Sequence, residues 1–407
     1  MAMARRQPGF LLAALLGLFA ASVVDPSPAL ATRRLETADG SMAGPPAGER
    51  PTLPGRSLSD QARELEEQAG ALYKAGRYED ALHTQREAVA CHRRLVERDP
   101  GQRLRLAASM HNLGVVLIRL GRKGEALAPT AEALALYRQD PSSRGGTVSL
   151  AMERPLRNLV LLHFEANRPL EALPLADDLV RLHQGAAADD PPARAALMDV
   201  LNLRASLLVA LNRSPDALRD LESAVAIARR QARQFPENPV LAHGLAGSLL
   251  NLSQVADLLG RMDQAVAPAR EAEGLLGQLA SAHPAVRGDW AKALSRLGQA
   301  YAKQGDAARA RPALEQSVAL LRALDPEGPS RTLEVEPGGY RDDLALTLET
   351  LALVNQRLQR PGEARAAGEE ALRLYAVMAE GDPRYQQDVE RTRAWLTTWP
   401  ALTPAQR

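Results

Sequence analysis

Gly76-Arg77-Tyr78-Glu79-Asp80-Ala81-Leu82 and Gly121-Arg122-Lys123-Gly124-Glu125-Ala126-Leu127 are one phrase written twice. Asn167-Arg168-Pro169-Leu170-Glu171-Ala172-Leu173, Asn212-Arg213-Ser214-Pro215-Asp216-Ala217-Leu218 and Gly260-Arg261-Met262-Asp263-Gln264-Ala265-Val266 repeat it with small exchanges. Weaker copies stand at Gly305-Asp306-Ala307-Ala308-Arg309-Ala310 and Arg360-Pro361-Gly362-Glu363-Ala364. The anchoring alanines fall at 81, 126, 172, 217, 265, 310 and 364, spaced by 45, 46, 45, 48, 45 and 54 residues. Seven copies in near-constant register make an internal repeat, and a period of this length marks a stacked array.

Each position has a physical reason. Gly or Asn tolerates the left-handed conformation that ends a helix. A small alanine lets two helices approach closely. Leu113, Leu117 and Leu120 recur at helical spacing before the turn, and Ala131, Leu134 and Leu136 continue an apolar face after it. One helix pair cannot bury such a face alone, so neighbours must stack. Composition agrees. The 407 residues exceed what one compact core holds, and 45% are apolar but only 3% aromatic. Helix formers dominate and strand formers are scarce. The expected fold is all-α: a right-handed α–α superhelix, a solenoid of about seven helix-turn-helix repeats with a C-terminal capping helix.

The repeat resembles the tetratricopeptide repeat, whose unit has small residues at fixed places, Gly in the turn and Ala opening the second helix. Ala69, Leu72, Gly76, Tyr78, Ala81 and Ala88 stand at the family's spacing, and the resemblance runs over roughly residues 59–383. The period is longer than the family's usual value of about 34 residues. In that it is similar to the kinesin light chain variety. Glu171-Ala172-Leu173-Pro174-Leu175 and Ala310-Arg311-Pro312-Ala313-Leu314 resemble that variety's Glu-Ala-x-Pro-Leu opening. Proline is tolerated early in a helix because the first four N–H groups lack partners anyway. The resemblance implies a binding protein whose first helices line a concave groove that holds an extended segment or a helix of a protein partner.

Fourteen residues before the anchoring alanine stand Asn112, Asn158 and Asn251; Asn202 is one residue further out. The resemblance implies that Asn at this place bonds the backbone of a bound peptide. An amide suits the task because it donates and accepts at once. Glu67, Arg296 and Thr350 hold the place in other units. The same amides could instead bond neighbouring helices. Arg154, Arg157, Lys292, Arg296 and Lys303 are expected to point toward the same groove, either to meet acidic groups or a C-terminal carboxylate, or as a solvated face. The tighter Lys-Asn-Asn-Lys-Arg clamp of chaperone-binding members is not matched.

Signals for chemistry are absent. The sequence holds no H-E-x-x-H helix, no phosphate-cradling G-x-x-x-x-G-K-[ST] loop and no G-x-S-x-G elbow. No catalytic, cofactor-binding or metal residue is therefore named. Cys91 is the one cysteine, which excludes an internal disulfide and a multi-cysteine metal site. Its neighbour His92 is on a different helical face, and Cys91 is expected to pack as a small apolar residue. A net charge of +1 supplies no basic footprint for nucleic acid. The expected function is protein binding. A structural subunit of an envelope or secretion assembly, and an enzyme with an unrecognised site, are the alternatives.

The ends carry their own signals. Arg5-Arg6, the apolar run from Phe10 to Val24 and Ala29-Leu30-Ala31 are the three parts of a secretory signal peptide over residues 1–31. The run is shorter than the ~20 residues of a membrane span. Cleavage is expected after Ala31, with an uncleaved N-terminal anchor as the alternative, so the protein is expected to be periplasmic or secreted. Residues 32–57 read as a flexible Pro/Gly-rich linker, 58–383 as the repeat domain, and 400–407 as a tail. The longest break, Asp325 to Tyr340, accounts for the 54-residue spacing and is either a tolerated insertion or a partner-contacting loop. In the expected capping helix, 384–399, Tyr385, Val389, Leu396 and Trp399 share a face. Trp395 and Trp399 either cover the end of the core or form a docking site.

Overall fold

The computed structural model describes residues 57–139, 146–186, 191–324 and 340–399. The signal peptide, nearly all of the 32–57 linker, the 325–339 part of the long break and the tail lie outside the described residues.

Among the described residues there are fifteen α-helices and no strand. They follow one another as helix-turn-helix pairs. α1 (Leu58–Lys74) is followed by α2 (Tyr78–Arg98), and α3 (Arg103–Arg119) by α4 (Lys123–Gln139). α5 (Gly146–Glu165) leads to α6 (Pro169–Ala186), and α7 (Pro191–Ala210) to α8 (Ser214–Gln234). The remaining pairs are α9 (Pro239–Leu258) with α10 (Met262–Ala282), α11 (Arg287–Gln304) with α12 (Ala307–Leu324), and α13 (Tyr340–Arg357) with α14 (Pro361–Gly381). A last helix, α15 (Gln386–Thr397), follows. No helix among the described residues is long and apolar enough to cross a membrane.

The turn inside each pair has one chemistry. Gly76, Gly121, Asn167, Asn212, Gly260, Gly305 and Gln359 all have positive φ. Each lies five residues before its anchoring alanine. The next residue's N–H reaches back to the carbonyl five residues earlier, as in Arg77 to Leu72 (2.9 Å), Arg122 to Leu117 (2.9 Å) and Arg360 to Asn355 (2.9 Å). This closure satisfies a carbonyl that the helix end would otherwise leave open. Gln359 was not legible as a turn residue, because Gln carries the Cβ penalty that Gly and Asn evade or soften.

The seven anchoring alanines, Ala81, Ala126, Ala172, Ala217, Ala265, Ala310 and Ala364, are each 0% exposed. A side chain without further carbons is what allows this: the second helix closes onto the first with no atom to displace.

The chain divides into two compact blocks at Ala193/Arg194. In the N-terminal block, Leu82, Val116, Leu117 and Leu162 pack around Ala81 and Ala126. Beside them Val89, Leu106, Met110 and Ala133 form a second cluster. In the C-terminal block, Val225, Leu245, Leu249 and Leu276 interleave with Ala228, Ala246, Ala272 and Ala293. Each fully buried leucine contributes roughly 1.5–3 kcal/mol, so alternation of large and small side chains sets the stacking of successive pairs. The capping helix α15 lies against α14. A Cβ on Gly368 would come within 2.8 Å of Leu396 and 3.3 Å of Trp395. The indoles of Trp395 and Trp399 meet edge to face at 4.5 Å, and Arg391 ties α15 to Glu349 of α13 at 2.9 Å.

Successive second helices are also joined by charge. Twelve residues after its anchoring alanine one unit carries Arg, and six residues after its own the next carries an acid. Arg93 meets Glu132 at 2.9 Å and Arg138 meets Asp178 in the N-terminal block; Arg229 meets Glu271 and Arg322 meets Glu370 (2.5 Å) in the C-terminal block. These pairs are largely exposed, so each stabilises by at most about 1 kcal/mol.

Candidate partner-binding face

The nine polar residues expected to line a groove divide between the two blocks, and the structure treats the two sets differently. In the C-terminal block they are engaged with neighbouring first helices. Asn202 on α7 is 2% exposed and Asn251 on α9 is 4% exposed. Asn251 donates Nδ2–H to Asn202 Oδ1 at 3.0 Å. Asn202 in turn donates to Ser248 Oγ (3.0 Å) and to the Met198 carbonyl (3.0 Å). Arg296 on α11 donates to Gln254 of α9 at 3.2 Å. Lys303 on α11 reaches Asp257 of α9 at 2.6 Å, and Lys292 stands 3.7 Å from Asp343 of α13.

The same seam continues through residues that sequence reasoning passed over. Ser295 and Thr347 hydroxyls bond at 2.7 Å. His243 bonds Asp289 at 2.9 Å, and this hydrogen bond to a carboxylate raises the His243 pKa above its ordinary value of 6.5. A signal for the hydroxyls was present. Asn202 and Ser295 lie fifteen residues before their alanines, and their partners Ser248 and Thr347 lie seventeen before theirs, one unit on.

The N-terminal block is different. Asn112 on α3 and Asn158 on α5 are half-buried, Arg154 on α5 is exposed, and none of the three side chains has a hydrogen bond or ion pair among the described residues. Arg157 bonds Glu153 within α5 at 3.3 Å. Beneath this face lies a buried ionisable cluster. His111, adjacent to Asn112, is pushed down to about 4 from 6.5, chiefly by burial and secondarily by the Arg154 cation. Tyr137 of α4 is pushed up to about 12, first by burial and then by Glu66 of α1, with Arg154 opposing. The α3–α5 seam lacks the hydroxyl that answers Asn202 and Ser295. The residue in that register opposite His111 is Pro155, which has no donor, and His111 Nδ1 is buried without a partner.

Cys91 is free and buried, and burial raises its thiol pKa. A thiol held protonated is a poor nucleophile. Among the described residues no group of three or more His, Cys, Asp or Glu side chains is placed to hold a metal ion.

Three stretches of the chain match a known family model. Residues 69–100, 106–139 and 290–328 match the model of the tetratricopeptide repeat. No curated protein matches the chain. Among solved structures, the apo form of RapI is 9% identical and superimposes with a TM-score of 0.50, covering 79% of this chain and 99% of its own. That likeness bears on the fold. A tetratricopeptide repeat protein from Parabacteroides merdae is 16% identical over 82% of this chain and 99% of its own, with a TM-score of 0.46. Nearly identical tetratricopeptide-like repeats from Podosopora anserina, described as kinesin light chain, are 22% identical over 56% of this chain and 96% of theirs, with a TM-score of 0.40.

Proposed function

We propose, starting from the premise that this is a tetratricopeptide-repeat chain, that it is a non-enzymatic scaffold binding a protein partner along the α3–α5 face of its N-terminal block. The fold by itself identifies no partner. The observation that carries the reading is the contrast in side-chain engagement. Asn112, Asn158 and Arg154 keep their hydrogen-bonding capacity, whereas Asn202, Asn251, Arg296, Lys303 and Lys292 spend theirs on neighbouring first helices. Two amides and a guanidinium on adjacent first helices suit an extended segment: the amides bond its backbone and the guanidinium meets an acidic side chain or a terminal carboxylate. Export is part of the same proposal and is supported by the Arg5-to-Ala31 sequence pattern. The partner is then sought in the cell envelope or outside the cell.

The test is a pull-down from envelope extract with residues 32–407, run beside the Asn112→Ala/Asn158→Ala/Arg154→Ala variant. A partner held by the first and lost by the second, at equal melting temperature, is the expected result. A partner held equally by both moves binding away from this face, and no partner at all removes the scaffold reading.

A further inference from the structure

Of the seven histidines, His92, His111, His163 and His183 lie in the N-terminal block with a ring nitrogen that is buried and has no hydrogen-bond partner. The C-terminal block holds two: His243, bonded to Asp289, and the exposed His283. The four differ in what an added proton would meet. Glu66 stands 3.1 Å from His92 Nε2 and Glu153 stands 3.5 Å from His183 Nε2, off the line a hydrogen bond needs but near enough to receive a charge. Among the described residues neither His111 nor His163 has such an acid, and His111 faces the Arg154 cation. Arg154 of α5 is its charged neighbour, and the same cation acts on Tyr137 of α4, which also feels Glu66 of α1. Glu66 is at His92, Glu153 is shared by His183 and Arg157, and Tyr137 stays protonated. The group that acts on His111 is the Arg154 cation.

We propose that His111 is an acid trigger: its protonation places an unanswered charge in the buried α3–α5 seam against Arg154 and opens the N-terminal block while residues 194–399 stay folded. The sign follows from linkage. A histidine whose folded pKa is depressed is protonated first in the unfolded chain, so stability falls as pH drops from the unfolded value toward the folded one. For His111 that window runs from 6.5 down to about 4. In the C-terminal block the corresponding register positions are filled by bonded pairs, Asn202 with Ser248 and Ser295 with Thr347, none of which titrates in this window. Because Asn112, Asn158 and Arg154 lie on the same two helices, acid also withdraws the partner-binding face. That corollary rests on the function proposed above; the trigger does not.

Tryptophan separates the blocks, because Trp290, Trp395 and Trp399 all lie in the C-terminal one. The full chain is titrated from neutral pH to about pH 3.5, followed in parallel by far-UV circular dichroism and tryptophan emission. The expected result is a partial loss of helix with unchanged emission. The His111→Gln variant moves the helix loss to lower pH by about one unit. Hydrogen exchange of the wild type, corrected for intrinsic rates, shows protection lost first within residues 103–165. Should His111→Gln fail to fold, Arg154→Gln takes its place and shifts the transition in the same direction. Helix and tryptophan signals that change together, exchange that begins in 194–399, or a foldable variant with an unshifted transition would each overturn the proposal.

Discussion

Asn251 donates its side-chain amide to Asn202 Oδ1 at 3.0 Å, joining α9 to α7 through two side chains that are nearly out of solvent. The bond sets a hierarchy among asparagines that look alike in sequence. Removing one partner of a buried pair leaves the other unsatisfied, which costs about 1–3 kcal/mol. Asn251→Ala is therefore expected to lower stability by that amount in urea denaturation. Asn112→Ala and Asn158→Ala, with no bond to lose, are expected to stay within about 0.5 kcal/mol of wild type. Equal losses for all three would contradict the division between engaged and available amides.

Gln359 occupies the left-handed region with φ 59. For a residue with a Cβ this costs roughly 1 kcal/mol; four of the seven turns avoid it with Gly and two soften it with Asn. Gln359→Gly is expected to raise the thermal midpoint. The reverse exchange, Gly121→Gln, is expected to lower it by a similar amount. A Gln359→Gly variant that melts earlier than wild type would show that its side chain makes a compensating contact.

Ala126 is 0% exposed between α3 and α4. Ala126→Asp places an unpaired carboxylate there and should cost several kcal/mol, enough to unfold the second pair. Far-UV circular dichroism and melting of this variant test the repeat register directly. Unchanged helicity and midpoint would mean that the alanine register is misassigned.

His243 and Asp289 give the C-terminal block a pH dependence of opposite sign to that of His111. The hydrogen bond and charge of Asp289 raise the His243 pKa above 6.5. Its contribution is thus complete below the unfolded value and declines as pH rises through the folded one. Tryptophan-monitored denaturation should show the C-terminal block weakening from about pH 6.5 upward, and His243→Gln should flatten that slope. A wild-type slope that persists in the variant would assign the titration to another group.

The fold was legible because its determinants are local. A helix end needs a left-handed residue and an alanine five positions on, and both can be read from a run of seven letters. Gln359 was hidden because nothing in its letter announces positive φ. The candidate face was only half legible. Register placed Asn112, Asn158 and Asn251 at one position, yet an amide's availability depends on what the next first helix offers it. The one-residue offset of Asn202 is part of what the pairing uses: it stands opposite both Ser248 and Asn251. The arginine–acid pairs between second helices were present in the spacing, but the pairs span 39 to 48 residues and are seen only when units are laid side by side.

The sequence by itself determined the all-helical pairing, the repeat register and the identity of the buried anchors, since these depend on backbone preference and side-chain size within one turn. The tertiary structure decided which polar groups are spent and which are available. Asn251 is closed by Asn202, Asn112 is left open, and His111 is buried with no partner at Nδ1, whereas hydroxyls answer Asn202 and Ser295 in the same register of the other block. A hydrogen bond needs two groups brought together from distant parts of the chain, and a letter at one position cannot say what will face it.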